Sequence, residues 1–88
     1  MITPWGNSQS ITEIAPGIIR VHTESHGGYH VTPELLARMP EEHRATAYST
    51  GGWFEEDVDW SLVAINFPDA FHPDEVKAAK NYVARYFR

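Results

Sequence analysis

The first residues in the chain that suit chemistry are three histidines spaced four residues apart, His22, His26 and His30. Imidazole nitrogens are common ligands of zinc. The glycines at 27–28 favour a hairpin turn over a helix in this stretch, because paired glycines fit the left-handed positions of tight loops. A hairpin centred on His26 would place His22 opposite His30. With an acid such as Glu24, this geometry gives one hypothesis: a small histidine-dependent enzyme or metal-binding protein.

Simpler explanations exist for the same stretch. Residues 25–28 (Ser-His-Gly-Gly) hold a hydroxyl, an imidazole and two glycine amides, but adjacent turn residues rarely point at one another as nucleophilic catalysis requires. No Gly-x-Ser-x-Gly elbow is present. The chain has no cysteine, which excludes disulfides and thiolate metal sites. We therefore predict a polar hairpin loop, with no catalytic residue, no bound metal and no cofactor.

A dense group of acids is the second candidate site. It lacks the glycine and terminal glutamate of a calcium loop, and its carboxylates lie too close along the chain for glycoside hydrolysis. Trp53 and Trp60 flank it, and aromatic residues beside charges are typical of interface hot spots. We predict a partner-binding patch, which Glu41 and Glu42 would extend if the helices pack side by side; the alternative is a solvated helix start. The four acids are Glu55, Glu56, Asp57 and Asp59.

Charge is unevenly distributed along the chain. Seven basic and twelve acidic residues give a net charge of −5. Residues 1–75 contain three arginines against all twelve acids, a net charge of −9, whereas residues 76–88 contain four bases and no acid, a net charge of +4. Direct nucleic-acid binders carry a basic face. The distribution therefore predicts no direct nucleic-acid binding and favours a basic protein partner.

Length and hydropathy indicate one small domain, spanning residues 1–88. The longest apolar run, residues 62–67, is interrupted by Asn66 and is far too short to cross a bilayer. The first residues lack the basic and apolar regions of a secretory signal peptide. We expect a protein without a membrane partner, located in a cytoplasm.

Hydrophobic periodicity and turn residues predict an α+β fold, a three-stranded antiparallel meander followed by three to four helices packed on one face. The predicted strands are residues 11–14, 18–23 and 29–31, after a loop over residues 1–10 that Trp5 anchors. Proline and acid pairs predict helix starts at Pro33 and Pro73, with a turn or short helix at 40–44 between them. Residues 53–65 fit both helical and strand spacing, and we favour a helix that ends before Pro68.

Several segments together resemble a small domain of unknown function carried on phages and plasmids of proteobacteria. They are TPWG at 3–6 with SQ at 8–9, APGI at 15–18, SHGGYHV at 25–31, WFEED at 53–57 and FP at 67–68. The resemblance implies no catalytic residue.

Small acidic proteins of this provenance resemble anti-CRISPR proteins, which implies a non-enzymatic inhibitor. It would act as a DNA mimic, occupying a basic DNA-binding subunit of a bacterial CRISPR effector complex and blocking target DNA. Another phage regulatory protein-binding module is the alternative, because both need only a complementary surface.

Overall fold

Short strands joined by tight turns make up most of the first 31 residues in the computed structural model, which describes residues 1–87. The strands β3, β4, β5 and β6 form one antiparallel sheet in that order, and β1 pairs with β2 in a separate hairpin. In chain order the strands are β1 (Ile2–Thr3), β2 (Gly6–Asn7), β3 (Ser10–Ala15), β4 (Ile18–His22), β5 (Gly27–Val31) and β6 (Trp53–Glu55).

Helices follow the first five strands, so the predicted α+β class is confirmed. Two of the predicted helix starts are confirmed as well. Thr32 caps the helix that begins at Pro33, and His72 with Glu75 forms a capping box for the helix that begins at Pro73. The helices are α1 (Pro33–Leu36), α2 (Trp60–Asn66) and α3 (Pro73–Tyr86), and 3₁₀ turns span Glu41–Arg44, Ser49–Gly51 and Pro68–Ala70. Helix α3, the longest in the described residues, falls short of the length that a bilayer-spanning helix needs.

Two sequence predictions about the sheet are wrong. Residues 1–10 are not a loop throughout, because β1 and β2 form a hairpin there. The sheet has four strands rather than three, because Trp53–Glu55 is a strand and not the start of a helix. The helix predicted over this region begins only at Trp60.

Pairing with β5 explains why residues 53–55 are extended. Gly52 has a left-handed φ of 84°, which ends the preceding 3₁₀ turn, and its carbonyl accepts the Val31 N–H at 2.9 Å. Phe54 then lies opposite Tyr29 and is fully buried, while Trp53 lies opposite His30. The local sequence fits either periodicity, so the contact with a distant strand decides the structure.

The main core lies between one face of the sheet and helices α2 and α3. Its sheet side consists of Ile18, Tyr29, Val31 and Phe54, which the strand register places on one face. Helix α2 is buried along most of its length and contributes Leu62 at 0% exposure. Partly buried apolar side chains pack around this core, among them Leu35, Leu36, Ile65, Phe67, Val76 and Val83.

Trp5 covers the opposite face of the sheet. A Cβ atom placed on Gly28 would lie 2.5 Å from Trp5 Cη2 and 2.5 Å from the Phe54 carbonyl oxygen, so only glycine leaves room for the indole. Val21, which pairs with Gly28 on this face, is fully buried. The hairpin of β1 and β2 is thereby held against the sheet, with the helices on the other side.

The Gly28→Ala substitution should reduce the free energy of unfolding by about 1–3 kcal/mol, because the added methyl displaces Trp5 or the β6 backbone. Urea unfolding followed by tryptophan fluorescence measures this. The matched control is Gly51→Ala, where the nearest atom, Trp53 Cδ1, is 3.2 Å from the added carbon. Equal losses in the free energy of unfolding of the two variants would contradict the conclusion that the packing of Trp5 requires glycine at position 28.

Candidate protein-binding surface

Four carboxylates occupy the end of β6 and the turn before α2. We call them the acidic turn: Glu55, Glu56, Asp57 and Asp59. The Glu56 N–H donates to the Gly27 carbonyl at 3.0 Å, which ties the turn to the start of β5. Glu56 and Asp57 are exposed, and Glu55 and Asp59 are partly buried. The sheet therefore fixes the position of the carboxylates that the sequence singled out.

The carboxylates of the acidic turn make no ion pair within the described residues. In residues 1–87 the one ion pair joins His72 Nδ1 to Asp74 Oδ2 at 3.7 Å, far along the chain from this turn. Burial raises the pKa of Asp59, and the neighbouring charges of Glu55 and Asp57 raise it further. Because these carboxylates lie close enough to repel one another, a cation brought to the turn would be attracted by several of them at once.

The acids are presented on both sides of β6. A Cβ atom on Gly27 would lie 2.6 Å from Glu56 Oε2 and 3.2 Å from His22 Nδ1, so Glu56 lies on the same side as His22. His22 Nε2 in turn accepts a hydrogen bond of 3.2 Å from Arg20 Nε. Glu55, one residue earlier, shares the other side with Trp53 by strand alternation.

Trp53 and Trp60, predicted to flank one patch, lie on opposite sides of the sheet. The Trp53 ring centroid lies 4.5 Å from that of His30. Trp60 instead packs between α2 and α3, with its ring centroid 5.7 Å from Tyr82. Trp53 therefore accompanies Glu55 at the surface, whereas Trp60 holds the two helices together.

Glu41 and Glu42, which the sequence predicts as an extension of the acidic turn, lie near the opposite end of α2. They begin the 3₁₀ turn whose His43 Nδ1 lies 3.0 Å from Asn66 Nδ2. Asn66 is the last residue of α2, whereas the acidic turn precedes its first residue. A helix of seven residues separates the two groups by about 10 Å.

The three histidines do not converge. The loop between β4 and β5 is centred before His26, so His22 pairs with Gly27 while His30 pairs with Ile19. The predicted opposition of His22 and His30 is therefore wrong, and the two side chains lie on opposite faces of the sheet. Within the described residues, no group of three histidines, aspartates or glutamates is placed to hold a metal ion.

An aromatic cluster lies beside Glu55 and was missed from the sequence. Its members are Trp5, His30, Tyr48 and Trp53. The Trp5 ring makes edge contacts with Tyr48 and Trp53, at centroid distances of 5.9 and 5.8 Å. Tyr48 remains 42% exposed, so the cluster offers a partner an aromatic surface next to a carboxylate. The sequence signal was Gly28 itself, since a glycine within a strand often marks the close approach of another group.

The resemblance inferred from the motifs can now be compared with a family assignment. The sequence model of a protein family described as a domain of unknown function, DUF7007, matches residues 1–88. The chain belongs to this family. Neither the curated proteins nor the solved structures contain a match to the DUF7007 chain. The match confirms a domain of unknown function and assigns no activity, so the function of this DUF7007 domain must be argued from its surface.

His30 should make stability depend on pH. Burial lowers the pKa of His30, partly offset by the hydrogen bond between Nε2 and the Gly51 carbonyl at 3.1 Å. The unfolded chain then binds a proton at higher pH than the folded chain, so stability falls as pH drops through 6.5 towards the lowered pKa. In urea unfolding between pH 7.5 and 5, His30→Gln should lose less stability than the wild type, by well under about 1 kcal/mol because solvent screens the partly exposed imidazole. If the stability of the wild type and of His30→Gln fell equally between pH 7.5 and 5, His30 would not be the source of the pH dependence.

Asp59→Asn should increase the free energy of unfolding at pH 7 by less than about 1 kcal/mol, because the partly solvated carboxylate is only weakly penalised. Asp59 makes no side-chain capping hydrogen bond, so the amide loses none. The gain should shrink as pH falls, since the raised pKa lets the folded protein neutralise Asp59 first. Thermal unfolding at pH 7 and 4 tests this against exposed Asp69→Asn as the control, because Asp69 is not among the charges that raise the pKa of Asp59. If Asp59→Asn were less stable than the wild type at pH 7, the conclusion that the Asp59 carboxylate destabilises the fold would be contradicted.

Proposed function

We propose that this DUF7007 domain is a non-enzymatic binding protein whose acidic turn engages a basic surface on a protein partner. The observation that carries the proposal is the lack of any neutralising ion pair for the acidic turn in residues 1–87. Buried structural carboxylates are normally paired. Exposed carboxylates held together by a sheet, at the cost of mutual repulsion, are suited to lysine and arginine from another molecule.

The aromatic cluster supplies the second part of the proposed interface. Tyr48 and Trp53 lie at the surface on the Glu55 side of the sheet. Complementary charge would speed encounter with a basic partner, and burial of the rings would slow dissociation. Long-range attraction would thus raise the association rate constant, and short-range packing of the rings would lower the dissociation rate constant.

The partner we propose is a basic DNA-binding subunit of a bacterial CRISPR effector complex. Such complexes hold target DNA in channels rich in lysine and arginine. The carboxylates of the acidic turn would take the place of phosphates there and block target DNA. The small size and the net charge of −5, which such inhibitors share, support the proposal.

The acidic turn can be tested by mobility shift of target DNA with purified, guide-loaded CRISPR effector complexes. The triple variant Glu55→Gln, Glu56→Gln, Asp57→Asn should inhibit DNA binding at least tenfold more weakly than the wild type. A matched triple variant, Glu13→Gln, Glu34→Gln, Asp69→Asn, removes the same charge from other exposed positions and should inhibit normally. Circular dichroism checks that both variants are folded.

Inhibition by the wild type should saturate near one copy per complex. Equal loss in both triple variants would mean that overall charge matters and not the acidic turn. The proposal would be overturned by full inhibition with the acidic-turn variant. It would also be overturned if the wild type inhibited at far below one copy per complex, or if it inhibited no complex in a panel.

A further inference from the structure

A polar groove of about 350 Å³ lies between the β1–β2 hairpin and the loop that joins β4 to β5. Its volume is at the lower end of the range for small-ligand pockets. The two walls come from segments that carry the sequence resemblance but play no part in the acidic turn. The lining residues are Trp5, Gly6, Asn7, Ser8 and Gln9 on one side and Thr23, Glu24 and Ser25 on the other.

Hydrogen bonds within each wall hold the groove in shape. Thr3 is buried, donates from Oγ1 to the Gly6 carbonyl at 2.7 Å and accepts from the Trp5 N–H at 3.1 Å. Thr23 is buried in the other wall, donates to the His26 carbonyl at 2.8 Å and accepts the His26 N–H at 3.1 Å. The backbone of both walls is therefore organised before any ligand arrives, which lowers part of the entropic cost of binding.

The walls are also tied to each other. The Gln9 N–H donates to the His22 carbonyl at 2.7 Å, directly before the loop that forms the second wall. Trp5 rests against Gly28, just after that loop. The groove is thus a fixed space between two parts of the fold.

The chemistry of the lining favours a cation. The side chains of Asn7, Ser8, Gln9 and Ser25 make no hydrogen bond within the described residues, and each offers an oxygen acceptor beside its own donor group, so the charge preference comes from Glu24. Glu24 adds a carboxylate, and no lysine, arginine or histidine lines the groove. Trp5 adds an aromatic wall, against which a planar guanidinium packs well.

We infer that this groove binds an arginine side chain of a protein partner. The guanidinium has five N–H donors in a plane, which matches several oxygen acceptors beside one carboxylate and one ring better than the three donors of an ammonium group. This inference rests on the proposed function for the identity of the partner, a basic protein, but the groove and its lining are independent of the acidic turn.

The location of the groove agrees with such a partner. The loop that forms its second wall continues into Gly27, whose carbonyl accepts the Glu56 N–H of the acidic turn at 3.0 Å. The groove and the acidic turn therefore lie on either side of one short loop. A basic segment crossing this loop would place one arginine in the groove and further basic side chains at the acidic turn.

The test is a titration of the isotope-labelled domain with the blocked peptide Ac-Gly-Arg-Gly-NH2, followed by nuclear magnetic resonance. Shifts should be confined to the Trp5 indole and to the backbone amides of residues 6–9 and 23–25. The same peptide with citrulline, which keeps the shape and loses the charge, should bind about tenfold more weakly. The lysine peptide should bind more weakly than the arginine peptide.

Glu24→Gln should weaken arginine-peptide binding about fivefold or more, and the exposed control Glu13→Gln should leave it unchanged. Equal binding of the citrulline peptide, tighter binding of a neutral disaccharide, or shifts confined to the acidic turn would each overturn the inference. The acidic-turn triple variant should still bind the peptide. If it does, and the same variant still inhibits effector complexes, the proposed function fails while the arginine groove stands.

Discussion

The contact between Trp5 and Gly28 is the interaction on which the candidate surface depends. The indole occupies the space where a side chain of β5 would lie, so one glycine determines where the β1–β2 hairpin packs. From that position Trp5 touches Tyr48 and Trp53 and forms one wall of the polar groove. The aromatic cluster and the groove are therefore two consequences of the same close approach.

The core and the surface use different parts of the sheet. Phe54 faces α2 and is fully buried, while its neighbours Trp53 and Glu55 face the other way. Because strand alternation separates the two roles, the carboxylates of the acidic turn can remain unpaired without disturbing the packing of the helices. Burial of Asp59 and the neighbouring charges of Glu55 and Asp57, which together raise its pKa, are a cost in stability at neutral pH, and attraction to a basic partner would offset part of it.

Local signals in the sequence predicted the α+β class, the strands β3 to β5 and the starts of α1 and α3, because turns and helix caps involve residues close in the chain. The sequence did not reveal β6, since residues 53–55 fit two periodicities and only pairing with β5 decides between them. The separation of Trp53 from Trp60 follows from that same strand, whereas the length of α2 separates the acidic turn from Glu41. The register of His22 and His30 depended on a loop centre that paired glycines alone do not fix.

The central claim is that this DUF7007 domain binds a basic protein surface through the acidic turn and the adjoining loop. The most direct measurement is carbodiimide cross-linking of the domain to a guide-loaded CRISPR effector complex, with the joined residues mapped by mass spectrometry. The account predicts that partner lysines are joined to Glu24, Glu55, Glu56 and Asp57. Cross-links concentrated on Glu41 and Glu42, at the other end of α2, would contradict it.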